Sequence, residues 1–149
     1  MKPRFLTYIM AFAAVWALST PIDAFAHKIH RVAIHVDDSD PKRQNMALNN
    51  ALNVNKYYES KGEKVIIEVV TYGPGLTMLI KNKSKVKDRI AKMSMEMPDL
   101  SFAACGNTMA KMTKKTGKRP VLIAEAKNVK SGVVRLIELQ EKGYAYVRP

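Results

Sequence analysis

Short apolar runs rich in β-branched residues alternate along this chain with longer segments of helical period. The run 64–71 is almost continuously apolar, which is typical of a strand buried on both faces of a parallel sheet. Runs of similar character predict strands at 30–36 and 100–104, and shorter ones predict strands at 121–124 and 144–147. Strict alternation of strands with helices favours an α/β sandwich built from right-handed crossovers.

Capping residues mark the predicted helices between these strands. Asp40 and Pro41 begin a helix that runs to about residue 60, and Gly62 ends it. Ser84 caps a second helix, which Pro98 terminates. Two further helices are predicted at about 107–115 and 131–142.

The N-terminus has the pattern of a secretory signal peptide. Basic residues precede an apolar run at 5–18, and Ala24-Phe25-Ala26 fits an A-x-A cleavage site. The run is short for a membrane span, which makes an uncleaved anchor the alternative. We therefore predict a signal peptide at 1–26 and a single domain at 27–149, located in the periplasm or secreted and free of the membrane after cleavage.

The chain is strongly basic, with a formal net charge of +12 and its densest lysine run between Lys111 and Arg119. Basic patches bind nucleic acid, anionic lipid or acidic partners. Aromatic residues are not interleaved with these lysines as binding of single-stranded nucleic acid requires, and nucleic acid is not a predicted partner. The simplest interpretation of the run is a solvated, lysine-rich helix face.

Cys105 is the only cysteine of the chain, and it follows the predicted strand 100–104 directly before a glycine turn into a helix. Backbone N–H groups and the helix dipole favour a thiolate at this position. In an oxidising compartment a single cysteine has no partner for an intrachain disulfide. Three interpretations follow: Cys105 is a reactive thiol, it is joined to another chain, or it is a small buried hydrophobic residue.

Loops at the carboxyl ends of the strands supply candidate binding residues, because ligands of open α/β sheets bind there. They are Asp37, Tyr72, Gly73, Gly106, Asn107 and Thr108. The glycines allow close approach of a ligand to the backbone, while Asn107 and Thr108 either donate to a sulfur anion or cap the helix. Asp37 acts as a base or orienting group, or it only forms the turn. The glycine spacing matches neither a dinucleotide fingerprint nor a P-loop, and we expect no cofactor.

The three histidines lie early in the chain. Cleavage after Ala26 would make His27 the N-terminal residue, whose amine and ring suit copper. His30 and His35 fall on opposite faces of the first strand, which argues against a joint metal site, and we assign no metal ligand. His35 is either a base partner for Cys105 or a core histidine.

Four stretches resemble the DsrE/DsrF-like family, in particular its exported single-domain members. They are VAIHVDDSDPKRQNMALNNALN, VVTYGPGLTML, SFAACGNTM and SGVVRLIELQEKGYAYVRP. The resemblance spans the proposed mature chain in order. It implies a three-layer α/β/α sandwich with a mostly parallel five-stranded sheet, assembled into homo-oligomers, either trimers or hexamers.

In the sulfur-relay members of that family, a loop cysteine accepts sulfane sulfur as a persulfide and passes it to a small sulfur-carrier protein. The resemblance assigns this role to Cys105, with the loop residues named above as its pocket. The chemistry would be that of a sulfurtransferase or of a sulfur carrier, so the resemblance is compatible with an enzyme and with a carrier protein. The alternative is a non-catalytic oligomeric binding protein for a small anion, thiol or metal, with Cys105 buried.

Overall fold

The computed structural model describes residues 28–149, which form one five-stranded sheet with helices on both faces. The predicted signal peptide and His27 lie outside the described residues. The strands are β1 (Ile29–Val36), β2 (Lys64–Thr71), β3 (Leu100–Cys105), β4 (Ala126–Val129) and β5 (Ala145–Val147). The helices are α1 (Pro41–Glu59), α2 (Lys87–Glu96), α3 (Gly106–Thr116) and α4 (Gly132–Glu141), with a 3₁₀ helix at Gly73–Leu79.

All strand pairs of this sheet are parallel, in the order β4-β3-β2-β1-β5. The chain moves in one direction across the sheet from β1 to β4 and then returns to add β5 beside β1. Right-handed crossovers therefore place α1, α2 and α3 on one face and α4 on the other. This confirms the predicted three-layer α/β/α sandwich.

Two hydrophobic cores correspond to the two helix layers. The larger core packs the sheet against α1, α2 and α3, and it includes Ile34, Val69, Phe102, Leu48, Ile90 and Met109. The smaller core packs the sheet against α4, and it consists of Ala33, Val70, Ala103, Leu136 and Leu139. Because one helix covers the second face and three cover the first, most of the apolar burial lies on the first face.

The nearly continuous burial of β2 agrees with its apolar sequence, with one charged exception. Glu68 is 8% exposed and points to the α4 layer. The Arg135 guanidinium of α4 donates to both of its carboxylate oxygens at 2.7 Å. A buried carboxylate is tolerated here because a bidentate guanidinium neutralises it.

The fourth strand lies at Ala126–Val129, so its prediction at 121–124 was wrong. Leu122 makes only an isolated antiparallel bridge to Ile80, while Ile123 packs into the larger core from an irregular segment. Four apolar residues do not distinguish a strand from a buried loop. The true β4 is an edge strand, where Lys127 and Asn128 are tolerated because the outer side faces solvent.

Within residues 28–149, no helix combines the length and apolar character needed to cross a membrane.

Candidate functional site

Cys105 is both the last residue of β3 and the N-cap of α3. Its backbone is extended, with φ −68° and ψ 114°, which lets the side chain turn back over the first helical turn. The sulfur accepts from the Thr108 backbone N–H at 3.5 Å. Helix N-caps are normally serine, threonine, aspartate or asparagine, whose oxygens accept from the free N–H groups of the first turn. The Cys105 sulfur takes the place of such an oxygen, at the end of the helix where the dipole favours an anion. The helix thus begins one residue earlier than predicted, and Cys105 is its cap in place of Asn107 or Thr108.

The first residue of α4 also faces Cys105. The backbone N–H of Gly132 donates to the sulfur and lowers the pKa of the thiol. A Cβ at Gly132 would lie 3.2 Å from the Cβ of Cys105 and 3.0 Å from two side-chain atoms of Tyr72. A side chain at position 132 would therefore require Tyr72 or Cys105 to move by a few tenths of an ångström, and glycine avoids this. Two helix N-termini, one from each face of the sheet, converge on one sulfur atom.

Thr108 links the thiol to the loop after β2. Its Oγ1 accepts from the backbone N–H of Gly73 at 3.0 Å. The oxygen of this hydroxyl accepts from Gly73, and its proton is available to Cys105. As a donor to Cys105, the hydroxyl lowers the pKa of the thiol. The structure thus brings three predicted site residues, Cys105, Thr108 and Gly73, into one hydrogen-bonded group.

The hydrogen bonds around Cys105 outweigh its burial. Burial is the largest single influence and raises the pKa of the thiol. The Thr108 hydroxyl and the N–H groups of Gly132, Thr108 and Asn107 lower it, and together they bring the pKa below its ordinary value. Cys105 is 4% exposed, so a buried thiol is made more acidic by donors alone. This arrangement can stabilise a thiolate or a persulfide anion.

Asn107 and Gly106 hold the β4–α4 connection against the thiol loop. The N–H of Asn107 also donates to the Lys130 carbonyl oxygen at 3.2 Å. A Cβ at Gly106 would lie 2.9 Å from the Val129 carbonyl oxygen. The small size of Gly106 therefore permits the close approach that brings Gly132 to the sulfur.

Tyr72 separates the thiol from a second polar group, which consists of His35, Asp37, Tyr146 and Arg148. Its side chain borders Gly132, and its ring centroid lies 4.5 Å from that of His35. Burial, followed by the negative charge of Asp37, raises the pKa of the Tyr72 hydroxyl. Tyr72 is therefore neutral and contributes an aromatic wall with a polar tip.

His35 is buried at 4% exposure and bonds away from Cys105. Its Nδ1 lies 2.7 Å from the Tyr146 hydroxyl, while its Nε2 is buried without a hydrogen-bond partner, 4.0 Å from an Asp37 oxygen. Burial is the main reason that the pKa of His35 lies below 6.5. The contacts of His35 favour the core interpretation over a base partner for the thiol.

Asp37 belongs to this second polar group. It is not among the residues that surround the Cys105 sulfur, which we call the thiol cradle: Gly73, Asn107, Thr108 and Gly132. Its carboxylate accepts from Arg148 Nη2 at 2.7 Å and Nε at 3.3 Å. This ion pair ties the loop after β1 to the residues after β5. Arg148 and Gly132 are not among the predicted site residues. Their only signals in the sequence are a place just after the predicted last strand and a place just after Ser131, the N-cap residue of α4.

Two clefts approach the thiol cradle from either side of α3. One has a volume of about 510 Å³ and is lined by Asn107, Lys130, Ser131 and Arg135, among others. The other has a volume of about 280 Å³ and is lined by Gly73, Thr108, Lys111 and Lys115, among others. The smaller cleft carries positive charge only, whereas the larger one also contains Glu138, which pairs with Arg135.

The described chain offers no metal centre. Among residues 28–149, no group of three or more His, Cys, Asp and Glu side chains is arranged to hold a metal ion. His30 pairs with Glu63 at 2.6 Å and stacks on Tyr58. His27, the candidate copper ligand, lies outside the described residues.

Comparison with known proteins supplies a structural neighbour but no family. No family model matches the chain, and no curated protein matches it. Among solved structures, it is similar to MTH1491 from Methanobacterium thermoautotrophicum, with a TM-score of 0.68 and 28% sequence identity. The match covers 80% of this chain and 99% of that chain. MTH1491 is itself described as a protein of unknown function, so the likeness supports the fold and indicates no activity.

Proposed function

We propose that this protein handles sulfane sulfur, with Cys105 accepting one sulfur atom as a persulfide for transfer to a partner, in the manner of the DsrE/DsrF-like proteins that it resembles. The observation that carries the proposal is the position of the Cys105 sulfur at two helix N-termini, with the Thr108 hydroxyl as a further donor. A persulfide is an anion near neutral pH, and these donors stabilise it as they stabilise a thiolate.

The chemistry balances without an oxidant if the donor already carries sulfane sulfur, as thiosulfate does. The Cys105 thiolate attacks the sulfane sulfur, a new S–S bond forms, and sulfite leaves with the electron pair of the bond that breaks. A partner thiolate then attacks the outer sulfur of the persulfide, and the Cys105 thiolate leaves. A thiol of low pKa is a good leaving group, so the same donors assist both steps.

The proposed setting is periplasmic or secreted, as a homo-oligomer that meets a small sulfur-carrier protein. Support for oligomerisation comes from α4, whose outer side exposes Val133, Val134 and Ile137, with Tyr146 of β5 exposed on the same layer. Exposed apolar residues grouped on one surface are typical of a subunit contact. The trimer or hexamer rests on the family resemblance.

Intact mass spectrometry of the protein, before and after thiosulfate or polysulfide treatment, tests the proposal. We expect a gain of one sulfur atom, about 32 Da, that reductant or cyanide removes. The Cys105→Ser variant is the matched control and is expected to gain nothing. An unchanged mass, under conditions in which the unfolded chain reacts, would overturn the proposal.

One observation favours a second candidate, a non-catalytic binding protein. Cys105 is almost completely enclosed, which suits a structural cap as well as a reagent. Alkylation with iodoacetamide under native conditions separates the two. Reaction of the folded protein supports sulfur transfer, and reaction only after unfolding supports the binding protein.

A further inference from the structure

The surface along α3 is positive, and the acids nearest to it, Asp88 and Glu125, lie in an adjoining cleft that shares Lys81 and Val121 with it. The segments 72–87 and 106–124, which border it, contain nine lysine and arginine residues and no aspartate or glutamate. Within the described part of the chain, none of the lysines or arginines that line this surface forms an ion pair. A solvated helix face usually mixes both signs of charge, so this region has the character of a binding surface.

Two clefts on this surface meet at Met112, and together we call them the α3 groove. The first is the 280 Å³ cleft that begins at Thr108 and carries Lys111 and Lys115. The second has a volume of about 560 Å³ and carries Lys81, Lys83, Lys118 and Arg119. Positive side chains therefore follow the groove from the thiol cradle to the far end of α3.

The floor of the second cleft is apolar. Ile80, Met112, Pro120 and Val121 line it, and Val121 is 65% exposed. Covering Val121 and the apolar residues beside it would remove apolar surface from water, which is favourable. The groove therefore offers apolar contact below and positive charge at the rim.

We propose that the α3 groove binds an extended acidic segment of a partner protein, with apolar side chains on the floor and carboxylates against the rim. In an extended chain successive side chains point to opposite sides, which matches this separation of floor and rim. The eleven residues of α3 span about 16 Å, the length of about five extended residues.

The chemistry of the groove favours a peptide over other polyanions. No aromatic residue lines either cleft, so bases have nothing on which to stack. A membrane surface is flat, whereas the apolar floor is recessed. The groove ends at Thr108, whose N–H and hydroxyl hold the Cys105 sulfur, so a segment lying in it would place its end beside these hydrogen-bond donors of the thiol.

This inference rests on the proposed function only in identifying the segment with the sulfur-transfer partner. Binding itself needs no thiol, and it is measured on both the wild-type protein and Cys105→Ser. Equal affinity for the two proteins, with no persulfide on the wild type, would retain the groove and reject sulfur transfer. Persulfide formation without peptide binding would retain sulfur transfer and reject the groove as a peptide-binding site.

Fluorescence anisotropy with a labelled eight-residue peptide of alternating glutamate and leucine provides the test. Two groove variants, Lys111→Glu/Lys115→Glu and Lys118→Glu/Arg119→Glu, are each expected to weaken binding about tenfold or more. The matched control is Lys42→Glu/Lys56→Glu, which reverses two exposed charges on α1 and is expected to change affinity less than about twofold.

Four further probes define the result. An all-glutamate peptide is expected to bind more weakly because it leaves the apolar floor uncovered, and an alternating lysine–leucine peptide is expected not to bind. Equal losses in the groove and control variants would show a net-charge effect and overturn the proposal. Groove-dependent binding of single-stranded DNA or of anionic phospholipid vesicles, without peptide binding, would also overturn it.

Discussion

Replacement of Thr108 by valine is expected to raise the pKa of Cys105 without removing the helix or the thiol. Valine keeps the shape of the side chain and the backbone N–H that lies 3.5 Å from the sulfur. It removes the hydroxyl donor to Cys105 and the acceptor of the Gly73 N–H. Loss of the donor destabilises the Cys105 thiolate, and loss of the acceptor destabilises the loop after β2.

The size of the effect follows from the burial of the sulfur. A hydrogen bond to a charged group contributes about 1.5–3 kcal/mol, and at 4% exposure water does not replace the lost donor. The pKa of Cys105 is therefore expected to rise, because the thiolate loses a charge-assisted hydrogen bond that the neutral thiol needs less. The lost bond to Gly73 costs about 1 kcal/mol of stability and leaves the thiol unaffected.

The pH dependence of alkylation by iodoacetamide measures this pKa directly, because the chain has one cysteine. The midpoint of the rate profile is the quantity to compare, since the plateau rate also changes with thiol basicity. Thr108→Ser retains the hydroxyl and is expected to keep the wild-type midpoint. A midpoint that is the same for valine and serine would refute a hydroxyl donor and leave the backbone N–H groups as the cause of the lowered pKa.

Three other perturbations test the surroundings of the site. Gly132→Ala places a Cβ about 3 Å from Tyr72 and Cys105, so we expect α4 to shift, the alkylation midpoint to rise, and stability to fall by about 1–3 kcal/mol in urea unfolding. Arg135→Met leaves the Glu68 carboxylate buried and unpaired, and it is expected to lower the free energy of unfolding by about 3 kcal/mol. The double variant Arg135→Met/Glu68→Leu is expected to recover this stability because it also removes the buried charge. His35 is held neutral, with its pKa below 6.5, so the folded state binds fewer protons than the unfolded state as the pH falls below that value. Stability therefore falls with pH in this window, and His35→Phe is expected to flatten the slope; an unchanged slope would assign the acid sensitivity to other groups.

The fold was predictable where a strand is buried on both faces, because such a strand is apolar at almost every position. β2 is apolar because both of its faces are covered, and β1 and β3 share this pattern. β4 was misplaced because an edge strand needs pairing on one side only, so Lys127 and Asn128 carry no apolar signal. The apolar run before it belongs to the core but not to the sheet.

The site was predictable in the part that is local in sequence and, for Gly73, from the rule that loops at the carboxyl ends of parallel strands meet at one edge of the sheet. Cys105, Gly106, Asn107 and Thr108 are consecutive, and a strand end followed by a helix start is readable from them. The contributions of Gly132 and Arg148 depend on tertiary approach. Arg148 meets Asp37 across 111 positions of sequence, and no local pattern encodes that distance.

The direction of the last crossover explains why one sulfur has two helix N-termini. α3 starts directly from β3 on one face, while α4 starts from the neighbouring β4 and turns to the other face, so both helices begin beside Cys105. Two glycines make this possible, since a Cβ at Gly106 or Gly132 would contact the opposite chain segment at about 3 Å. The thiol is therefore made acidic by backbone geometry and one hydroxyl, without a base. It follows that His35→Phe, which changes the acid stability, is expected to leave the Cys105 alkylation midpoint in place. A shifted midpoint in that variant would mean that the second polar group is electrically coupled to the thiol through Tyr72.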